Sequence, residues 1–522
     1  MRRLALAATL AAALSAVAAC TDPPPPEPAA LPPPPQCAPT ADGPYSLVEG
    51  DTLTFTLHCA NAGETRTGDR FVIPDLPAGA TYDPSTATVT WTPGLDQAAV
   101  FTLTLEVKDE LISGRVKIAV ADAFDTPGNV PPLDPSTYTE ELGLPVLFLS
   151  PAPRSTNPEP VTVVYRGQTY AATAWQHGAS SLGYPQLSYT IKLADGDHLS
   201  DPEHGGGFFG KRSLVLISTF DDNTYVRQRL AYELWRRMDP DHLVVHAYSA
   251  VLYVDGAFHG LYTITDHVDN NFMGDEGLPQ DGNLYQAITH DANFDTVKYD
   301  GSGPKATLHD GYSKEAGTPP AGQPGAWTDV DDLVTFTSGA SAADFAAQLP
   351  ARFEVGDLRD WYVFVTYMLA EDSAGKNCFL MHDHDPAVGL WRYLPWDFNH
   401  SFGQAWQTYR TSATSWTDFR RNNRIFSRML DDTTMAAALS DRYRAMLAGP
   451  LSDEQVLGLF DAMVAETAGV AARNERMWGQ AYRTFSRWSA RTDFLDHDDE
   501  VTYTRQWIQT RSAMIRARYA TP

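Results

Sequence analysis

The spacing of apolar residues changes character along the chain. From 38 to 122 apolar and polar residues alternate over short runs, SLVEG, DTLTFTLHC, RFVIPDLP, ATVTWTP, VFTLTLEVKDE and GRVKIAVAD, each bounded by turn residues. A period of two predicts strands with one face in a core, hence a small all-β sandwich. From 140 the alternation continues through VTVVYRG, TYAATAWQHG, QLSYTIKLADG and SLVLIS. It then yields to helical spacing in TYVRQRLAYELWRRM, where Val226, Leu230, Leu234 and Met238 form one stripe behind the capping oxygens of Asp222, Asn223 and Thr224. VVHAYSAVLYVDGAFHGLYTITDHVD predicts a hairpin turning at Asp255-Gly256. Strands with one helix among them, followed by mostly helical sequence, predict an α+β, two-lobed large domain over 140–522.

The ends and joints of these units are marked by composition. Arg2 and Arg3, an apolar Leu4–Ala16 and the small residues before Cys20 predict a signal peptide over 1–19. Val-Ala-Ala-Cys resembles the bacterial lipobox, which implies a lipid on Cys20 and a protein anchored outside the cytoplasm. No later stretch reads as long and apolar enough to span a bilayer. PPPPEPAALPPPP, within a linker at 20–37, favours polyproline II and at about 3.1 Å per residue makes a stalk of about 40 Å. A second linker, 123–139, holds AFDTPGNVPPLDPST and separates the sandwich from the large domain.

The balance of 39 basic against 65 acidic residues, a net charge of −26, argues against nucleic acid or an anionic membrane surface as partner. It permits divalent cations and a basic or Ser-rich protein substrate. Of the four cysteines, Cys37 and Cys59 flank the first strands and are a candidate disulfide, and Cys378 reads as a buried core thiol. Asp109 and Glu110 at a strand end read as solvated acids rather than a calcium site, and His382 and His384 as exposed turn residues rather than zinc ligands.

One stretch concentrates oxygen donors. DLRDWYVFVTYMLAE predicts a helix that delivers Asp372; Asn377 follows five positions on, and NCFLMHD with LWRYLPWD predict a hairpin returning Asp397, 25 residues from Asp372, to the same place. Two carboxylates and a carboxamide suit Mg²⁺ or Mn²⁺ better than zinc. Asp372 is the candidate hydroxyl-orienting base, with Asn377 and Asp397 as metal ligands. Lys192 on a strand and Glu233 on the following helix have the order of a phosphate-binding lysine and its orienting acid, and Arg227 on the apolar stripe is a further nucleotide-binding candidate or a partner of Asp222. EHGGGFFGKRS lacks the spacing of a nucleotide-binding glycine loop and reads as a turn.

LPAGATYDPSTATVTWTP with FTLTLEVKD resembles the cadherin-like or immunoglobulin-like domains of bacterial surface proteins, with Trp91 as the plug of the sandwich. The large domain resembles the CotH family of atypical, spore-coat-type protein kinases. ELGLPVLFL, HGASSLGYPQLSYTIKL, DDNTYVRQRLAYELWRRM, DGAFHGLYTITDHVD, DGNLYQAITHDANF, DLRDWYVFVTYMLAEDSAGKNCFL, WRYLPWDFNHSFG and TYTRQWIQTRSAMIRARY fall in family order. The resemblance implies a kinase-like fold and Mg-ATP-dependent phosphorylation of Ser on protein substrates, with the family's essential acids at Asp372 and Asp397 and Asn377 as their companion; the leading reading is transfer to Ser or Thr of a secreted or envelope protein. Gln186 and Gln286 stand where the family often has Lys, and Asp266 where it has Glu. The alternative function is a non-catalytic surface lipoprotein for adhesion or envelope scaffolding, and a third reading is a metal-dependent hydrolase using the same oxygens.

Overall fold

The computed structural model describes residues 37–60, 70–108, 112–123, 132–204, 206–383, 389–488 and 491–520. The expectations for the signal peptide, Cys20, the stalk, Asp109, Glu110 and His384 fall outside these residues.

The alternating runs of the small domain form two facing sheets. One orders Tyr45–Val48, Ser113–Ala121, Ala99–Val107 and Phe71–Val72, and the other Leu53–Thr56, Thr88–Trp91 and Thr81–Asp83. Trp91 is buried between them with Phe55, Leu105 and Ile118, and its indole N–H donates to the Ala78 carbonyl. Cys37 and Cys59 are disulfide-bonded. Thr137 and Tyr138 at the end of the second linker tie into the fold: Val100 N donates to Thr137 O, and the buried Tyr138 hydroxyl accepts from Asp122 N and donates to Glu141.

The strands of the large domain close on themselves. Leu144–Ser150, Glu159–Tyr165, Gln168–His177, Ser188–Leu193, Ser213–Ser218, Ala257–Asp266 and Ala247–Val254 pair antiparallel in that order. Parallel pairing of Val146 with Val251 through Leu149 with Val254 then seals the circuit. Alternate residues such as Val163, Ile191, Leu214, Leu252 and Ile264 fill the interior, so the sheet is a packed barrel without free edges. The hairpin turns at Asp255 and Gly256, both at positive φ, as an Asp-Gly turn requires.

Helix Arg227–Met238 lies beside this barrel with Val226, Leu230, Leu234 and Met238 all buried. It starts later than the capping oxygens suggested: Val226 is the N-cap, while Asp222 accepts a hydrogen bond from Arg227 N at 2.8 Å. A second, four-stranded sheet orders Tyr312–Ala316, Asn283–Ala287, Cys378–His382 and Arg392–Pro395. Helix Val355–Tyr367 packs Trp361 onto Tyr393 and Phe364 onto Phe398. Helix Asp453–Arg483 is long and apolar enough by length and composition to cross a membrane, contrary to the expectation from sequence. In the fold it is docked: Asn474 accepts from Leu261 N, and Arg473 pairs with Glu141 and lies over Phe258.

Candidate functional site

The helix Val355–Tyr367 ends five residues before Asp372, slightly earlier than expected, and Leu369 at φ 52° turns the chain into the loop that carries it. Asn377, at φ 56°, begins the strand Cys378–His382, and its N–H donates to Ala287 O at 2.9 Å. The hairpin then returns so that Trp396 N donates to Asn377 O at 3.1 Å, which sets Asp397 beside Asn377. Asp397 is itself left-handed, at φ 60°, and its N–H donates to the Tyr232 hydroxyl at 3.3 Å. Asn and Asp tolerate this region better than other residues with a Cβ, yet each such residue stores local strain, and here two of the three oxygen donors carry it.

The two carboxylates are held differently. Asp372 is buried, with Lys376 Nζ 3.0 Å from one oxygen, His290 Nε2 3.5 Å from the same oxygen and His400 Nδ1 3.7 Å from the other. Burial opposes its charge, but His290, His400 and Lys376 overcome that and hold the carboxyl well below the usual range. Asn377 Nδ2 donates to Asp372 at 3.3 Å, which leaves the Asn377 carbonyl oxygen free for another partner. Asp397 is solvent-exposed although protein mass surrounds it. Loss of bulk water around it, together with Asp221 and Asp372 and against His400 and Lys376, raises its pKa to about 6. Among the described residues its carboxylate accepts no hydrogen bond and joins no ion pair.

Asp221 and His400 complete the arrangement and were not singled out from sequence. Asp221 accepts from Asn399 Nδ2 at 2.7 Å and from the Tyr184 hydroxyl at 3.0 Å. The buried His400 ring lies between Asp221, at 3.4 Å, and Asp372, contacts longer than hydrogen bonds. Burial lowers its pKa and the two carboxylates raise it more, so it is held as a cation. The signals were present in Asp221-Asp222, in His400 three residues past Asp397, and in Lys376 just before Asn377.

The residues therefore fit a hard divalent cation by the chemistry of their donors: an unpartnered carboxylate at Asp397 and a free carboxamide oxygen at Asn377, with Asp372 adjoining. Another acidic group, Glu140, Glu203 and His204, already has a cation in Lys117, which pairs with both glutamates.

Three candidates have other surroundings than expected. Lys192 is exposed on strand Ser188–Leu193, because the alternation that buries Ile191 and Leu193 turns it outward. Glu233 pairs with Arg236 and Arg237 on its own helix, so the expected Lys192–Glu233 pair is absent. Arg227 is buried and ties Asp222, Glu500 and Thr504 together, which corrects its nucleotide-binding assignment in favour of the Asp222 pairing. The lysine that does meet a buried acid is Lys211, 3.1 Å from Asp266 and 2.9 Å from Asp275, drawn from the segment read as a turn. Gln186 is buried and donates to Leu261 O, while Gln286 is half-buried on the second sheet opposite Phe379. His382 is half-buried rather than exposed, bonded to Asp329 and stacked on Trp391. Cys378 is a buried thiol whose pKa burial raises.

Residues 174–515 match the family described as "CotH kinase protein", well over half of the chain, and 30–121 match the family described as "Putative Ig domain". The chain belongs to the CotH kinase protein family and carries an immunoglobulin-like domain ahead of that region. Among curated proteins it is similar to the "Inner spore coat protein H" of Bacillus subtilis (strain 168), 22% identical over 226 residues, or 43% of this chain. The chain spans 59% of that relative's length. A solved structure titled "Chimeric titin Z1Z2 functionalized with a KLER exogenous peptide from decorin" covers 31% of this chain and 91% of its own at 14% identity, with a TM-score of 0.12.

Proposed function

We propose that the protein is an atypical protein kinase that transfers a phosphoryl group from Mg-ATP, or Mn-ATP, to Ser or Thr of secreted or envelope proteins. The observation that carries this reading is the pairing of unlike carboxylates: Asp372 clamped by cations and held charged, Asp397 strained and exposed, its carboxylate without a partner among the described residues. Asp372 orients the acceptor hydroxyl and takes its proton; Asp397 and Asn377 hold the metal. A divalent cation bound there supplies charge neutralisation at the phosphate oxygens. Cys20 would anchor the protein by lipid to the cell envelope, and the acidic surface favours a basic or Ser-rich acceptor.

The burial of Arg227 between Asp222 and Glu500, and the outward-facing Lys192, favour the second reading, a surface lipoprotein that uses the kinase-like fold for adhesion or scaffolding. Purified protein incubated with labelled ATP and Mg²⁺ or Mn²⁺, with basic and Ser-rich acceptors and with none, separates the two. Metal-dependent label on an acceptor or on the protein itself supports the kinase. No label, with no metal-dependent nucleotide binding by calorimetry, gives the scaffold the lead.

A further inference from the structure

We infer that Lys376 grips the phosphoryl group in transit, binding the terminal phosphate of the nucleoside triphosphate through the two donors it does not give to Asp372. The inference rests on the kinase reading above and supplies a phosphate-binding cation where Lys192 faces outward and Arg227 is buried between Asp222 and Glu500.

The geometry narrows the choice of cation. Among the described residues, the ion-pair partners of Asp372 are Lys376, His290 and His400. His400 is buried between Asp221 and Asp372, and His290 is stacked on Tyr299. Arg227 is fully enclosed with Asp222 and Glu500, Lys211 is buried with Asp266 and Asp275, and Arg410, though partly exposed, is already engaged by Asp493 and Glu500. Lys376 is 19% exposed in its side chain and, among the described residues, has no ion-pair partner beyond Asp372, whereas the more exposed His290 points its Nε2 at Asp372 and gives its ring face to Tyr299.

An ammonium carries three donors, and one of them faces Asp372. The acceptor hydroxyl that Asp372 binds must sit about 3 Å from that carboxylate, with the attacked phosphorus about 3 Å further on. An ammonium 3.0 Å from the same carboxylate is within reach of the non-bridging oxygens of that phosphorus. The loop that carries it is fixed at both ends. A Cβ on Gly375 would collide with the carbonyl oxygen of Asn422, and Asn377 is held left-handed and hydrogen-bonded to Ala287. In the step itself the acceptor oxygen forms a bond to the terminal phosphorus, and the bond from that phosphorus to the bridging oxygen breaks. The electron pair leaves on the diphosphate, and the hydroxyl proton passes to Asp372. Lys376 neutralises the oxygens of the group in transit and releases it on the acceptor.

The test compares wild type with Lys376→Met and Lys376→Arg by calorimetry, using Mg²⁺ with a non-hydrolysable ATP analogue and, separately, with ADP. Lys376→Met is expected to weaken the triphosphate analogue at least 10-fold while leaving ADP within twofold, with Lys376→Arg restoring most of the loss, because the contact is with the terminal phosphate alone. Equal affinity of wild type and Lys376→Met for the analogue overturns the inference and leaves the kinase reading standing. So does equal weakening of analogue and ADP, which marks a structural role. If wild type binds neither nucleotide, the kinase reading fails and this inference with it. Melting temperatures of the variants identify any that do not fold, in which case Lys376→Arg and Lys376→Gln carry the comparison.

Discussion

Oxygen donors five and twenty residues apart in sequence meet here because two residues accept a conformation most side chains avoid. Asn377 and Asp397 both sit at positive φ, and one backbone hydrogen bond, Trp396 N to Asn377 O, joins the ends of their strands. Replacing Asp397 by Ala would lose both the ligand and the residue type that tolerates φ 60°, whereas Asp397→Asn keeps the shape and removes the charge. Lys192→Ala is expected to leave phosphotransfer within about twofold of wild type, since an exposed barrel residue with its neighbours Ile191 and Leu193 turned inward contributes little; a loss of two or more orders of magnitude in a steady-state assay would assign Lys192 to the site. The oxygen donors were legible in sequence because one short hairpin brings them together. Of the groups around Asp372, Lys376 had a local signal four residues away, whereas His290 meets Asp372 only through a contact between segments 82 residues apart, which leaves no local mark.

At the scale of elements, the helix Arg227–Met238 shows what an arginine on an apolar stripe is for. Arg227 is fully buried and fastens its own helix to the C-terminal helix His497–Tyr519 through Glu500 and Thr504. Arg227→Met would leave Asp222 short of its partner and remove one of the cations on buried Glu500, a cost of about 3 kcal/mol in the range for broken buried pairs. Chemical denaturation should show that loss; a variant as stable as wild type would mean that Arg410 and Arg491 suffice for Glu500. The strands, hairpin and helices were readable from period and turn residues. Barrel closure was not, because the parallel pairing of Leu144–Ser150 with Ala247–Val254 joins segments about a hundred residues apart and leaves no local mark.

For the whole molecule, stability should depend on pH through Asp357, buried on helix Val355–Tyr367 beside Arg392 and His242. Burial raises its pKa from 3.8 to about 6, more than Arg392 and His242 lower it. A raised carboxyl binds its proton more tightly folded than unfolded, so its contribution is fully present below about pH 3.8 and is lost as pH rises through about 6. The loss amounts to about 3 kcal/mol. Asp357→Asn should be relatively more stable than wild type above pH 6 and converge with it near pH 4; parallel stability curves would show that Arg392 compensates the charge completely. His177 acts in the opposite sense: burial lowers its pKa to about 4, so its contribution is present above about 6.5 and lost as pH falls through about 4. The immunoglobulin-like domain shares this single scaffold, since Arg473 of the long helix reaches Asp122 at its end and Lys117 pairs with Glu140 at the start of the large domain.

The most direct test of the central claim is transfer of label from ATP with Mg²⁺ by wild type beside Asp397→Asn, both shown to melt at the same temperature. The account predicts transfer by wild type and a loss of about a thousandfold or more in the variant, in keeping with removal of a charged group on which the transition state depends. Equal transfer by the two proteins would contradict it, because the one open carboxylate of the site would then have no part in the chemistry.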